Sequence, residues 1–459
     1  MKEHSLTAPG RLPDPAGQAW PPHVGVGGVS LRGARTAPHG HSPARALNRV
    51  AEWADALDDP ATPSGTARDF PFGEVLEHYQ ALGRAHASPE LVSCLRALYR
   101  RLPPARSAEE AVLADWLPST FDQHDGDYDS YLAAPMLERL AAAEGPEEVD
   151  TVLDVELLAL LADLARTEGE ALAESADSRR QRQRTHAALQ ALTHWPELAP
   201  RARLRLAGLS LPPPVPRDDP SLASVTLDRA WKILDETPEL VRRAAEASLL
   251  PTTPLHDEVM FIRSVQLFEI VYRQVLRCLE RAAAALSVRD TATAGAELGD
   301  AVRRVESTPS LFRVLTTMSR ESFAVIRAYT DGRSAIQSRA YRLVERTGAP
   351  RPPGPFSDRI PKVEVTGPTV QEAYVSCAAA VDGTALRHVA EAMARLDRGW
   401  RAMKRTHWGI TLKIIGNVTG TGGTPGADYL RTTAAIPLFP LLHEPQERSG
   451  AHAEEASDV

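Results

Sequence analysis

An all-α fold is predicted by three features of this sequence. The 459-residue chain is 43% hydrophobic yet has only 9 Phe, 9 Tyr and 7 Trp, so Ala, Leu and Val carry its apolar mass, which suits helices better than sheets. Residues 384–415 run through eight or nine helical turns without a proline. Residues 224–440 as a whole carry long helical patterns with few breaks.

The length allows one large domain with appended segments, or two ordinary domains. The net charge of -8 arises from interspersed signs, with no basic footprint, so a nucleic-acid partner is not expected. Cys94, Cys278 and Cys377 stand far apart and form no CxxC or CxxCH pattern, which points to a reducing compartment. No apolar segment follows Met1-Lys2-Glu3-His4, and no stretch reaches the roughly 18 apolar residues that span a bilayer. A soluble, cytoplasmic protein without membrane contact is the expectation.

Residues 1–45, rich in Gly, Pro, Arg and His, read as a disordered tail, and 446–459 as a second one. Residues 46–220 read as a helical N-terminal extension and insert. Up to Ala143 short helical patterns alternate with proline breaks, and the acidic run Phe121 to Tyr128 reads as a solvated loop, since it lacks the spacing of a calcium loop. A helical block from Val149 to Leu206 follows, with Leu153, Leu157, Leu160, Leu161 and Leu164 at helical spacing and an Arg-rich turn, Arg179 to Arg184, expected to face solvent. The proline-rich residues 209–221 form a linker. Residues 221–445 hold every motif with chemical content.

Three helices in that part point to one pocket. On 384–415 the large apolar residues Leu386, Val389, Met393, Leu396, Trp400, Met403, Ile410 and Ile414 make a stripe, and His407 fills its one vacant place. On spacing alone such a histidine is ordinarily a satisfied core residue. The helix runs into the Gly-rich stretch Gly416 to Gly426, whose backbone can approach a ligand closely but which lacks the pattern of a P-loop. A second helix is expected after Thr253, as N-cap, and Pro254, with Phe261, Val265, Phe268, Tyr272, Leu276 and Leu279 as its buried stripe. In a third, Phe323 and Arg327 share a face. An arginine beside a buried aromatic calls for an anionic partner; snorkelling to solvent is the plainer alternative.

In this order the motifs resemble the tryptophan 2,3-dioxygenases. That family shows HDE-x-x-F-I, then R-x-Y with S-x-x-Q-S and R-L-x-E, then a W-R-x-x-H helix and G-T-G-G-[ST]-x-G-x-x-Y-L-R. Here stand His256-Asp257-Glu258-Val259-Met260-Phe261-Ile262, then Arg327-Ala328-Tyr329 with Ser334-Ala335-Ile336-Gln337-Ser338 and Arg342-Leu343-Val344-Glu345. Trp400-Arg401 leads to His407, and Gly420-Thr421-Gly422-Gly423-Thr424-Pro425-Gly426-Ala427-Asp428-Tyr429-Leu430-Arg431 closes the series. The resemblance implies a b-type heme whose iron is bound by His407, with Ser334, Gly420 and Gly422 around the cofactor. It implies that Arg327 binds the carboxylate and Thr421 the ammonium of an aromatic amino acid, with Phe261 and Phe323 lining the pocket and dioxygen as co-substrate.

The family's Y-x-x-Y-L segment, which completes a neighbouring subunit's pocket in its tetramers, corresponds to Tyr128-Asp129-Ser130-Tyr131-Leu132. A homo-oligomer, tetramer or dimer, is thereby implied, although about a hundred more residues than in the family separate this segment from His256. The family's distal histidine falls on Val265, which can neither accept from an indole N–H nor exchange a proton. The implied function is a heme-dependent dioxygenase that opens the indole C2–C3 bond of L-tryptophan or a close analogue to an N-formylkynurenine-type product. Two alternatives stay open: a heme-dependent hydroxylase or rearranging oxygenase in a bacterial biosynthetic pathway, and a non-catalytic helical heme protein.

Overall fold

The computed structural model describes residues 43–58, 67–121, 128–143, 145, 148–175, 178–206, 208–330, 337–351, 363–416 and 426–443. Among these the protein is all-α and contains no strand.

The N-terminal helices are short because prolines and small caps punctuate them: α1 (Pro43–Asp58), α2 (Phe72–Leu82), α3 (Pro89–Arg101), α4 (Ala108–Phe121), α5 (Tyr128–Tyr131) and α6 (Ala134–Ala143). Ser88 caps α3 by accepting from the Leu91 N–H, with Pro89 in the first turn. Phe70, Phe72 and Trp116 meet edge to face at 4.8–5.6 Å and pin α4 to the turn before α2.

Then come α7 (Val149–Glu174), α8 (Arg179–Thr193), α9 (Trp195–Leu198), α10 (Leu222–Glu236) and α11 (Glu239–Ala247). The leucines of α7 pack inward as their spacing predicts, but the helix is covered on nearly every side, including by α8, α10 and α12 (His256–Ser287). Four of its carboxylates are therefore buried, and each of these meets a partner. Asp163 pairs with Arg263 of α12, Glu168 with His256, Asp154 with Arg304, and Glu156 with Arg273. The Arg-rich turn departs from the expected solvated face at one place. Arg184 is buried, ion-paired with Asp257 and bonded to Thr317, while Arg179 and Arg180 are exposed.

Helix α12 also starts later than its capping residues predict. Leu255 is its N-cap, and Thr253 instead gives its hydroxyl and its N–H to the Glu258 carboxylate. A buried charge so close to the chain outbids the capping role.

The remaining helices are α13 (Thr291–Leu315), α14 (Arg320–Tyr329), α15 (Arg339–Gly348), α16 (Val370–Ala378), α17 (Gly383–Ile415) and α18 (Ala427–Ala435). Helix α17 is the single 33-residue helix foreseen, roughly 50 Å long at 1.5 Å per residue. One apolar core runs without a gap from Ala46 in α1 to Phe439 after α18. Among the described residues no helix is long and apolar enough to cross a membrane.

Candidate functional site

Helices α12, α14 and α17 enclose a large cavity, closed further by α5, α13, α15 and α18. The space open to the centre of a water molecule is about 260 Å³, far more than the roughly 10–15 Å³ that one buried water needs. The front of the α12 stripe lines it: Phe261, Val265, Phe268 and Tyr272, with Glu269 beside them. Phe261, Val265 and Tyr272 are half-buried, whereas Met260, Ile262, Leu267 and Ile270 on the other faces of α12 are fully buried. The stripe thus divides: its first half forms cavity wall while still packing on core neighbours, and Leu276 and Leu279 belong to the core.

Helix α14 contributes Phe323, Ile326 and Arg327. The Phe323 ring meets Phe261 edge to face at 5.6 Å, so the aromatic pair expected across two helices forms, with the Arg327 guanidinium one turn on. Helix α17 contributes Met403, Lys404, His407, Ile410, Thr411 and Ile414. The His407 imidazole stacks on Phe312 of α13 at 6.3 Å, and among the described residues neither ring nitrogen has a hydrogen-bond partner. Burial lowers its pKa to about 4, so the ring is neutral at physiological pH.

Tyr128 and Tyr131 of α5 also line this cavity, from the same chain. The Tyr128 hydroxyl donates to Glu269 at 2.8 Å and the Tyr131 hydroxyl to Glu258 at 3.0 Å. Burial and the adjacent carboxylates raise both phenol pKa values well above their ordinary value, so both remain donors. The residues His256, Asp257 and Glu258 lie behind the wall and act as ties. His256 reaches Glu168 of α7, Asp257 binds Arg184 of α8, and Glu258 gathers Tyr131, Thr252 and Thr253.

A polar end of the cavity was not foreseen. Ser338, the N-cap of α15, donates to Glu269 at 3.0 Å, and burial raises that carboxyl to about 7. Tyr341, Arg342 and Lys404 line the same space, with Glu345 just behind them. Arg342 and Glu345 stand in a quoted motif, but nothing in the local pattern showed that an arginine there would reach a cavity. Phe312 gave no signal, because α13 carries no distinguishing motif. Ser334, Gly420, Thr421 and Gly422 lie outside the described residues.

The site is thus a largely apolar cavity with one neutral imidazole, two facing phenylalanines and a cationic rim, set in a helical protein. No protein-family model matches the chain. It is similar to the tryptophan 2,3-dioxygenase of Anaeromyxobacter sp. (strain K), 28% identical over 233 residues that cover 42% of this chain and 87% of the relative. It is also similar to those of Ruegeria sp. (strain TM1040), at 26% over 41% of this chain and 82% of the relative, and of Burkholderia pseudomallei (strain 668), at 29% over 42% and 77%. The chain is a distant relative of the tryptophan 2,3-dioxygenases.

Proposed function

We propose that this protein is a heme-dependent oxygenase of tryptophan or a tryptophan-like aromatic amino acid, yielding an N-formylkynurenine-type product. The observation that carries the reading is His407: a neutral imidazole without a hydrogen-bond partner among the described residues, on the wall of a large apolar cavity. Such a group would hold the iron of a heme that has no thioether links, and the apolar neighbours Phe268, Phe312, Met403 and Ile410 would suit its flat macrocycle. Heme, when bound, supplies the activation of dioxygen and its insertion into the aromatic ring.

The chain's own residues bind and orient. His407 would hold the iron of the heme. Arg327 holds the substrate carboxylate by its planar fork, and Thr421 is the partner of the ammonium group. Phe261 and Phe323 pack on the aromatic ring and keep water from it, while the Tyr128 and Tyr131 hydroxyls are tied back to Glu269 and Glu258. A homo-oligomer in the cytoplasm, as in the implied family, belongs to the same reading.

Val265 favours a second reading, a hydroxylating or rearranging oxygenase of an aromatic amino acid, because its side chain on the cavity wall offers an indole nitrogen no acceptor.

One experiment tests both. The reduced holoprotein is given tryptophan and related amino acids with labelled dioxygen, and the products are weighed. Two labelled atoms in an opened ring support the dioxygenase, and one labelled atom supports the second reading. No product across the panel would sink both. His407→Ala is expected to lose most bound heme and the Soret band; full heme with an unchanged spectrum would show that another residue is the ligand.

A further inference from the structure

Among the described residues, cations outnumber carboxylates at the polar end of the cavity. Arg342 and Lys404 line it, and Arg351 adds a third cation to the field of Glu345, while Asp397 acts on Lys404 from behind. Glu345 is already taken: the Lys404 ammonium lies 3.2 Å from it and the Tyr341 hydroxyl donates to it at 3.0 Å, leaving Arg342 at 3.7 Å. These cations hold the Glu345 carboxyl below its usual range, so its single negative charge is present and already shared. Glu269, the other carboxylate on the wall, is bound by Tyr128 and Ser338.

Arg342 is the group left over. One terminal nitrogen donates to the Tyr429 hydroxyl at 2.8 Å, and the guanidinium rests on the Tyr341 ring at 5.4 Å. Its Nε–H is buried and has no acceptor among the described residues. A guanidinium cannot shed its charge by deprotonation, so an under-compensated one in a low-dielectric wall calls for an anion.

We infer that Arg342 is the anion-binding residue of the cavity, holding a carboxylate of the bound ligand, with its fork oriented by Tyr429 of α18 and Tyr341 of α15. This rests on the functional reading above and deepens it. Two carboxylate sources are available there: the two propionates of the heme, and the amino acid itself. Arg342 and Arg327 stand on different helices of the cavity wall, so one can serve the cofactor while the other serves the substrate. With Arg327 serving the substrate, Arg342 is left for a propionate.

The test compares two cofactor probes and two small ligands. Apoprotein is reconstituted with protoheme and with its dimethyl ester, and release of each to excess acceptor globin is timed for wild type, Arg342→Leu and Arg342→Gln. Wild type is expected to release the ester roughly ten- to a hundredfold faster than protoheme, because esterification removes a charge-assisted bond. In both variants protoheme should leave as fast as the ester, with the melting curves unchanged. Alongside, binding of tryptophan and tryptamine is compared in the same proteins. If the variants keep the ester discrimination but lose the preference for tryptophan over tryptamine, Arg342 holds the substrate's carboxylate and the anion-binding role stands. If both discriminations survive in both variants, the inference is overturned. Failure of the heme reading is a separate outcome: wild type that takes up neither cofactor refutes that reading, and the tryptophan arm alone then decides the role of Arg342.

Discussion

Val265 and Glu269 are one helical turn apart on the cavity face of α12 and set opposite constraints on what the space accepts. A substrate N–H that reaches Val265 loses its hydrogen bond to water and gains none, at a cost of about 1–3 kcal/mol, or roughly ten- to a hundredfold in kcat/KM. Val265→His is therefore expected to raise the ratio of kcat/KM for tryptophan over 1-methyltryptophan. An unchanged ratio, with heme bound and the fold intact, would remove Val265 from the neighbourhood of the ring nitrogen. Glu269 carries a pH signature. Burial raises its pKa from 4.5 to about 7, with Arg273 acting against the rise and Asp129 with it, and Tyr128, Tyr272 and Ser338 neutral around it. The folded protein keeps a proton there that the unfolded chain gives up, so the stability this group contributes is full below about 4.5 and is lost as the pH rises through 7. Wild-type Tm should therefore fall relative to that of Glu269→Gln between pH 4.5 and 7. Parallel curves would mean that Glu269 is ionised throughout this range.

The turn Arg84–His86 docks on the segment that leads into α12, and the docking depends on Gly83. The Arg84 and Ala85 N–H groups donate to the carbonyls of Pro251 and Thr252, and His86 meets the Tyr329 ring at 5.7 Å. Gly83 has φ +80°, and a Cβ there would lie 2.4 Å from the Thr252 oxygen and 2.6 Å from the Thr253 Cα. Both are backbone atoms that cannot swing aside. Gly83→Ala should cost about 1–3 kcal/mol, read as a lower urea midpoint at unchanged slope; an unchanged midpoint would show that this docking contributes nothing. None of this was legible in the sequence, since a lone glycine between two short helical patterns says nothing about what it touches. Helix α17 was legible in full, because its stripe has one period, no proline and a single partner-facing side. Helix α12 was read as a helix with the right stripe, but periodicity alone did not show where along the stripe cavity wall gives way to core, since both are apolar. The capping role given to Thr253 and the exposure given to Arg184 failed for one reason. Each was judged by propensity alone, whereas a carboxylate claimed it: Glu258, five residues on, for Thr253, and Asp257 of a distant helix for Arg184.

At the scale of the molecule, α7 and α12 are joined by an ion pair that no solvent reaches. Asp163 and Arg263 are both fully buried, 2.7 Å apart at Nε, and Arg263 spends its other donors on Ser248, Gln266 and the Ala245 carbonyl. Asp163→Ala should destabilise by about 3–5 kcal/mol because it strands a buried cation, and Arg263→Met added to it should recover part of that loss. If the two losses simply add, the pair is not coupled. This tie matters to the cavity, since α12 forms one of its walls and packs against α7.

The walls of that cavity come from places far apart in the chain, from Tyr128 on α5 to Thr433 on α18. A growing chain on the ribosome has no such space until α18 has emerged, and loop closure across so long a separation is slow. Ligand capture is thus a late event in the life of each molecule, after collapse and not during it. In a refolding experiment helical signal should return before any change at a cavity-bound chromophore, with the interval between them measuring how long the seven contributing helices take to find one another.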